Sequence, residues 1–328
     1  MHDRQLGRSD LRVSALGLGC MAMTAVYGTV DDAEALATVR EALDAGANFL
    51  DTSDAYAEGK NEEFLRRALA DGYRKKAIIA TKFGNVRLAD GKPGAAGRPE
   101  YVIDACNKSL ARLGVDVIDL YYQHRVDTSV PIEDTVGAMA RLVKEGKVRY
   151  LGLSEAGIDT IRRAHKVHPI AALQTEYSLW CRFVEKDILP VCRELGIGFV
   201  PYSPLGRGML TGAIKSLADL PENDRRRDHP RFHEGNLESN ANLIRPILEM
   251  ANAKGCTPAQ LALAWLLAQG PDMVPIPGTK RRTHLRDNFG SLNVTLTAAE
   301  AVSLARAIDD GAVQGTRYPK GQLGLLGV

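Results

Sequence analysis

From residue 15 onward, short apolar and β-branched runs alternate with longer stretches of helical period, and this alternation limits the fold more than any other feature. Strands separated in this way cannot pair through tight hairpins; each crosses over a helix and returns parallel to the last. The spacing predicts strands over residues 15–17, 49–51, 77–81, 118–123, 150–153, 172–175, 198–201 and 273–276. It predicts helices over 31–44, 62–70, 99–113, 132–144, 158–165, 185–195, 240–253 and 258–269, several with legible ends. Pro99 and Pro258 sit in first turns, and Gly46, Gly114, Gly146 and Gly196 follow last turns. Eight strand–helix units are the count of a (β/α)8 TIM barrel, an α/β fold that often runs beyond about 250 residues as one domain. A single domain, 1–328, is therefore expected.

Three segments break the alternation. Residues 4–13 read as an N-terminal hairpin that would plug the lower end of the barrel. Residues 203–240, rich in Gly, Pro, Asp and Arg, follow a strand and so form a long loop at the carboxyl face, placed to close over a ligand. The Gly-rich tail after Asp310 either stays mobile or folds against the barrel mouth. The formal net charge is +2 with both signs interspersed, which gives no electrostatic footprint for nucleic acid or an anionic membrane. No apolar run approaches the roughly 20 residues that span a bilayer, and the polar start lacks a secretory h-region, so the cytoplasm is the expected compartment. The five cysteines are scattered without a CxxC pair, as reduced thiols would be.

Barrel enzymes place their chemistry where strands end at the carboxyl face. Asp51, Lys82 and His124 end three of the expected strands, and Tyr56 lies in the loop after Asp51. Singly, each has an ordinary structural reading. Together they supply what carbonyl reduction requires: a proton donor for the oxygen that becomes alkoxide, a cation to tune it and a counter-ion to orient the cation. An ammonium ~4 Å from the phenol favours phenolate by roughly 4 kcal/mol at an effective dielectric of ~20, an upper bound from which desolvation of the phenolate subtracts, so Lys82 is expected to lower the Tyr56 pKa. His124 would hydrogen-bond the substrate oxygen.

The stretches Gly46-Ala-Asn-Phe-Leu-Asp-Thr-Ser-Asp-Ala-Tyr56, Ala80-Thr-Lys-Phe-Gly84, Asp119-Leu-Tyr-Tyr-Gln-His124, Gly152-Leu-Ser154, Gln174-Thr-Glu-Tyr177, Pro201-Tyr-Ser-Pro-Leu-Gly-Arg-Gly208 and Pro275-Ile-Pro-Gly-Thr279 follow one another in order, each at a predicted strand. In these motifs the chain resembles the aldo-keto reductases over nearly its whole length, in the branch of bacterial and plant reductases, including pyridoxal and perakine reductases, nearer the potassium-channel β subunits. The resemblance implies NADPH/NADP+ as cofactor and a small-molecule carbonyl substrate, with Asp51, Tyr56, Lys82 and His124 as the catalytic tetrad. It further implies that Ser154 and Gln174 bind the nicotinamide carboxamide and that Tyr202 stacks on its ring. Ser203, Pro204, Leu205, Gly206, Arg207 and Gly208 would surround the pyrophosphate, and Gly19 and Met21 would lie near the nicotinamide ribose. Gly278, Thr279, Lys280, His284, Asp287 and Asn288 would receive the adenosine 2′-phosphate and adenine at a short helix opening near Thr283. The chain departs from the family in two places: Glu155 stands where many members have Asn, and Gly278-Thr279 stands where others have a Lys-Ser pair, leaving Lys280 and Arg281 to meet the phosphate charge.

Tyr27, Phe83 and Trp180 are candidates for lining a substrate pocket. Gly17-Leu-Gly-Cys-Met-Ala22 fits the G-x-G-x-x-A dinucleotide fingerprint, but no helix opens directly after it. His165 and His168 have H-x-x-H spacing without a third ligand, so no metal is expected. The rival functions are an NADPH-binding redox-sensing or regulatory subunit with slow turnover, and a metal- or Schiff-base-dependent barrel lyase using Lys82.

Overall fold

The computed structural model describes residues 1–328. β1 (Asp3–Gln5) and β2 (Arg12–Ser14) pair antiparallel as the expected hairpin. Leu6, Leu11 and Val13 bury among Phe49, Leu120, Tyr122 and Val200, side chains that point into the barrel, and so form its floor. The barrel then begins: β3 (Leu18–Gly19), α1 (Asp32–Asp44), β4 (Phe49–Asp51), α2 (Lys60–Ala68) and β5 (Ile78–Phe83). A small hairpin, β6 (Asn85–Arg87) with β7 (Pro93–Ala95), leads to α3 (Pro99–Leu113) and β8 (Ile118–Gln123). α4 (Ile132–Lys144), β9 (Val148–Ser154), α5 (Ile158–Val167), β10 (Ile170–Glu176), α6 (Ile188–Leu195) and β11 (Gly198–Tyr202) complete the regular repeat. Local sequence sets several of these starts: the Asp31 carboxylate accepts from the Ala33 and Glu34 amides at the head of α1.

The sheet runs β3-β4-β5-β8-β9-β10-β11, every neighbouring pair parallel, and its two edges are joined by residues 273–278. The strand expected at 273–276 is an extended segment without a regular ladder. Val274 and Ile276 donate to the carbonyls of Phe199 and Pro201 on one side, while the carbonyls of Pro275 and Pro277 accept from Gly17 and Gly19 on the other. Pro201, Pro275 and Pro277 have no N–H, so the remaining ladder bonds cannot form. The seam is tight: a Cβ at Gly19 would lie 2.8 Å from the Ile276 carbonyl oxygen.

Other boundaries also moved. The first barrel strand is at Leu18–Gly19 rather than 15–17, since pairing with β4 starts at Leu18 opposite Leu50. The helix expected over 240–253 is two, α7 (Asn236–Leu243) and α8 (Arg245–Lys254), because Pro246 in the first turn of α8 cannot continue the bonding of α7. The helix expected from 185 starts at Ile188 after a single turn at Phe183–Glu185. α9 (Pro258–Leu267) opens on a capping box between Thr257 and Gln260, and α10 (Arg282–Gly290) opens near the expected Thr283. α11 (Ala298–Ala307) and α12 (Lys320–Leu323) follow. The long loop after β11 is not irregular throughout but built of short 3-10 turns, among them Gly206–Thr211 and Arg225–Asp228. No helix is long and apolar enough to cross a membrane.

Candidate active site

Strand alternation decides which side chains enter the barrel. Along β5, Ile79 and Phe83 face the surrounding helices, while Ala80 and Lys82 face inward. The register sets Asp51 beside Ala80, Lys82 beside Tyr122, and Ser154 beside Gln174, so inward residues of five strands meet at one rim. There Lys82, wholly buried, places Nζ 2.5 Å from Asp51 Oδ1, 2.7 Å from the Thr52 carbonyl oxygen and 3.4 Å from the Tyr56 hydroxyl. Gln174 Nε2 donates to the other oxygen of Asp51 at 2.7 Å. The ring of His124 stands edge-on to that of Tyr56 with centroids 5.9 Å apart, and its Nδ1 lies 3.0 Å from Ser53 Oγ. The four residues picked out in the sequence thus converge on one point.

A second ring of polar groups holds the first. Thr52 Oγ1 donates to Asn61, whose amide donates to the Cys20 carbonyl. Thr81 Oγ1 and Arg112 Nε both donate to Glu62, which is fully buried. Backbone strain gathers near the rim: Ala57 and Glu58 after Tyr56, Glu155 after Ser154, and Ser203 and Arg207 after Tyr202 all have positive φ.

The electrostatics correct one expectation. Burial pushes the Tyr56 phenol above its ordinary value, and the opposing pull of Lys82 does not overcome it. Burial alone would weaken the hold of Lys82 on its proton, but Asp51 and Tyr56 outweigh it and raise the ammonium above the usual lysine range. His124 is held well below its ordinary value by burial and by the charges of Arg125 and Lys82, so its imidazole is neutral near pH 7. The site therefore presents a neutral phenol, a charged ammonium and a neutral imidazole.

Around the mouth, Ser154 Oγ accepts from Arg125, a buried guanidinium that also donates to the His124 carbonyl at 2.6 Å. Glu155 turns into the protein. Its carboxylate accepts both Nη atoms of Arg317 at 2.9 Å, the Tyr202 hydroxyl at 2.9 Å and the Glu176 amide at 3.1 Å. The tail consequently folds against the mouth, with the Tyr318 hydroxyl 2.9 Å from that of Tyr202 and its ring 5.7 and 5.1 Å from the guanidiniums of Arg125 and Arg207. The Gly327 amide donates to the Glu155 carbonyl and the Val328 carbonyl accepts from Gly157. Arg125, Glu155, Arg317 and Tyr318 were not among the expected site residues. Arg125 adjoins His124 in sequence, but the tail carries no local signal.

Most of the residues expected around a nucleotide gather at the ends of β3 and β11 and the head of α10, the candidate nucleotide groove. Gly19 and Gly278 meet across the seam, Met21 lies in the turn after β3, and Ser203, Pro204, Leu205, Gly206, Arg207 and Gly208 wrap the end of β11. A Cβ at Gly206 would lie 2.6 Å from Trp180 Nε1. Arg207 Nη1 donates to the Tyr27 hydroxyl at 3.1 Å, whereas its buried Nη2 has no partner. Lys280 is engaged rather than free, its ammonium donating to the carbonyls of Tyr27 and Thr29 at 2.6 Å each. Arg281, exposed at the start of α10, makes no ion pair, while Arg282 is paired with Glu34. Thr279 bonds locally to Arg281, and His284 is exposed. Asp287 accepts from Thr257 and Gln260, and Asn288 is buried.

Two of the three candidate pocket residues pack elsewhere. Phe83, one residue past Lys82, points to the outer face and stacks on Tyr121 at 4.8 Å. Trp180 is buried beneath the Gly206 turn with Arg231 over its ring. Tyr27 remains half-buried at the groove, under Arg226. His165 Nδ1 accepts from the Ile170 amide, and His168 lies against the Pro169 carbonyl.

Comparison with known proteins follows the same lines. A family model described as the aldo/keto reductase family matches residues 15–309. Among solved structures, the glycerol dehydrogenase AKR11B4 from Gluconobacter oxydans superposes with a TM-score of 0.82 at 30% identity, over 93% of this chain and 94% of its own. The thermostable aldo-keto reductase Tm1743, solved in complex with the inhibitor epalrestat, gives a TM-score of 0.75 at 28% identity, over 94% of this chain and 100% of its own.

Proposed function

The chain belongs to the aldo/keto reductase family, and from that premise we propose that it reduces an aldehyde or ketone to an alcohol with NADPH, Tyr56 giving the proton. The observation that carries this reading is Lys82, buried without exposure and shared between Asp51 at 2.5 Å and Tyr56 at 3.4 Å. A lysine so placed has no contact with solvent to compensate its burial, and its one free direction is toward the phenol.

The groove residues fit a nicotinamide dinucleotide. Gly206 and Gly208 take the positive φ that turns the chain at Arg207, the buried Nη2 of Arg207 lacks an acceptor, and Arg281 offers an unpaired cation at the N-terminus of α10. Ser154 and Gln174 would hold the carboxamide, Tyr202 would lie against the ring, and Arg207 and Arg281 would meet phosphate charge. When bound, the reduced dinucleotide supplies hydride to the carbonyl carbon.

The remaining work is done by the chain's own residues. His124, neutral, donates to the carbonyl oxygen and orients it. As negative charge builds there, the Tyr56 O–H proton passes to that oxygen, and the adjacent Lys82 ammonium stabilises the phenolate left behind. Asp51 and the Thr52 carbonyl keep Lys82 charged and in place. Because burial keeps Tyr56 protonated, the donor is fully loaded at neutral pH, and transfer waits for an alkoxide basic enough to take the proton. Purified protein mixed with NADPH and a panel of aldehydes is expected to lose the reduced-nicotinamide absorbance. A panel with no turnover above the no-substrate rate would leave the second reading, an NADPH-binding sensor, which the docking of Tyr318 over the mouth favours.

A further inference from the structure

Behind His124 lies a short polar chain that the mechanism above does not use. Ser53 Oγ is 3.0 Å from His124 Nδ1 and 3.3 Å from Asp54 Oδ1. A serine has one proton to donate, and its further acceptor here, the Lys82 carbonyl, is 3.4 Å away. The imidazole is neutral, so one ring nitrogen carries hydrogen and the other does not. Which one it is depends on where the Ser53 proton points. If Asp54 is ionised, the charged acceptor draws the Ser53 hydroxyl, Nδ1 must donate to Ser53 Oγ, and Nε2 is left as an acceptor. If Asp54 is protonated, it donates to Ser53, Ser53 donates to Nδ1, and Nε2 carries the hydrogen that a carbonyl oxygen needs.

We propose that Ser53 and Asp54 are positioning residues that form a proton relay selecting the tautomer of His124, so that only protonated Asp54 arms the imidazole to donate to the substrate oxygen. The proposal rests on the reading of His124 as the hydrogen-bond donor to substrate. The switch is balanced: the Asp54 proton moves to Ser53 Oγ, the Ser53 proton moves to Nδ1, and the Nε2 proton leaves to solvent. No oxidant or further reactant enters. Asp54 faces Glu62 from α2, Arg112 and Tyr101 from α3 and Tyr121 from β8, and His124 faces Lys82 from β5, its neighbour Arg125 and the Tyr56 ring. Burial, helped by the charge of Glu62 and opposed by Arg112, pushes the Asp54 carboxyl up to about 7, which puts the switch where pH can throw it.

The test pairs a pH profile with a direct view of the tautomer. In the wild type, kcat/KM for reduction is expected to fall as pH rises through neutrality. Asp54→Asn, whose amide donates to Ser53 as the protonated acid does, should abolish that limb and retain the low-pH rate in alkaline solution. Ser53→Ala should also remove the limb while lowering the low-pH rate about fivefold, the value of one lost hydrogen bond. Nitrogen-15 spectra of labelled histidine, with His124 assigned by the His124→Gln variant, should show Nε2–H in acid and Nδ1–H in base for the wild type, and Nε2–H throughout for Asp54→Asn. A falling limb that persists in Asp54→Asn, or a wild-type tautomer that ignores pH, overturns the relay. The spectra require no turnover, so they judge the relay even if carbonyl reduction itself fails to appear.

Discussion

At the scale of single residues, the site is a problem in burying charge. Asp51 and Lys82 have side chains 3% and 0% exposed, so each is tolerable only because the other is 2.5 Å away. Replacing Lys82 with Met removes one charge and strands the other; a loss of about 3–5 kcal/mol in denaturant unfolding is expected, as well as of activity. A change under about 1 kcal/mol would mean that Asp51 does not depend on the pair. These residues were legible because each ends a strand or follows one, where sequence position implies a place at the rim. The net direction of the Tyr56 shift was not legible. Proximity to a lysine can be read from motif order, whereas the depth of burial that outweighs it is a property of the whole rim.

At the scale of elements, two ends of the groove behave differently from the reading of local sequence. Lys280 looks like a phosphate ligand until its contacts are seen: it holds the loop carbonyls of Tyr27 and Thr29, and Arg281 is the cation left over. Arg281→Ala is therefore expected to weaken NADPH binding about tenfold and leave NADH binding unchanged, as read by fluorescence titration of both. Equal weakening of both would remove Arg281 from the phosphate site. The tail is the other case. Burial pushes the Glu155 carboxyl up, yet Arg317 overrides it and holds the group below its ordinary value. A carboxyl depressed on folding contributes stability above its unfolded pKa and loses it as pH falls through the folded one. Tail docking should thus persist at neutral pH and weaken below the ordinary carboxylate range, seen as faster proteolysis near Tyr318 in acid. A cleavage rate independent of pH there would contradict the latch. Nothing in the sequence pairs Glu155 with Arg317, since ion pairs between distant segments leave no periodic trace.

At the scale of the whole molecule, the alternation of strands and helices specified the barrel, and prolines account for two of the places where it misled. Prolines removed the ladder bonds of the closing segment at 273–278 and divided the helix expected over 240–253, so apolar pattern survived where regular bonding did not. The β6–β7 hairpin was missed because three-residue strands around Gly91 are too short for period-two patterning to register. The floor was read correctly as a hairpin, but not its fastening: Arg4 donates to the carbonyls of Leu267, Gly270 and Met273, tying the N-terminus to the end of α9 and the seam. Arg4→Ala should lower stability to urea by about 1.5–3 kcal/mol, the value of charge-assisted bonds, while kcat stays unchanged because the site lies at the opposite end. A fall in kcat without loss of stability would refute that separation.

Carbonyl reduction as proposed turns on the Tyr56 proton. Steady-state reduction of an aldehyde by Tyr56→Phe, alongside fluorescence titration of NADPH, tests it most directly. NADPH affinity is expected within about twofold of the wild type, since a hydroxyl worth little to binding is removed, with kcat lowered by about 10²–10⁴. A variant that binds NADPH normally and turns over at the wild-type rate would contradict it.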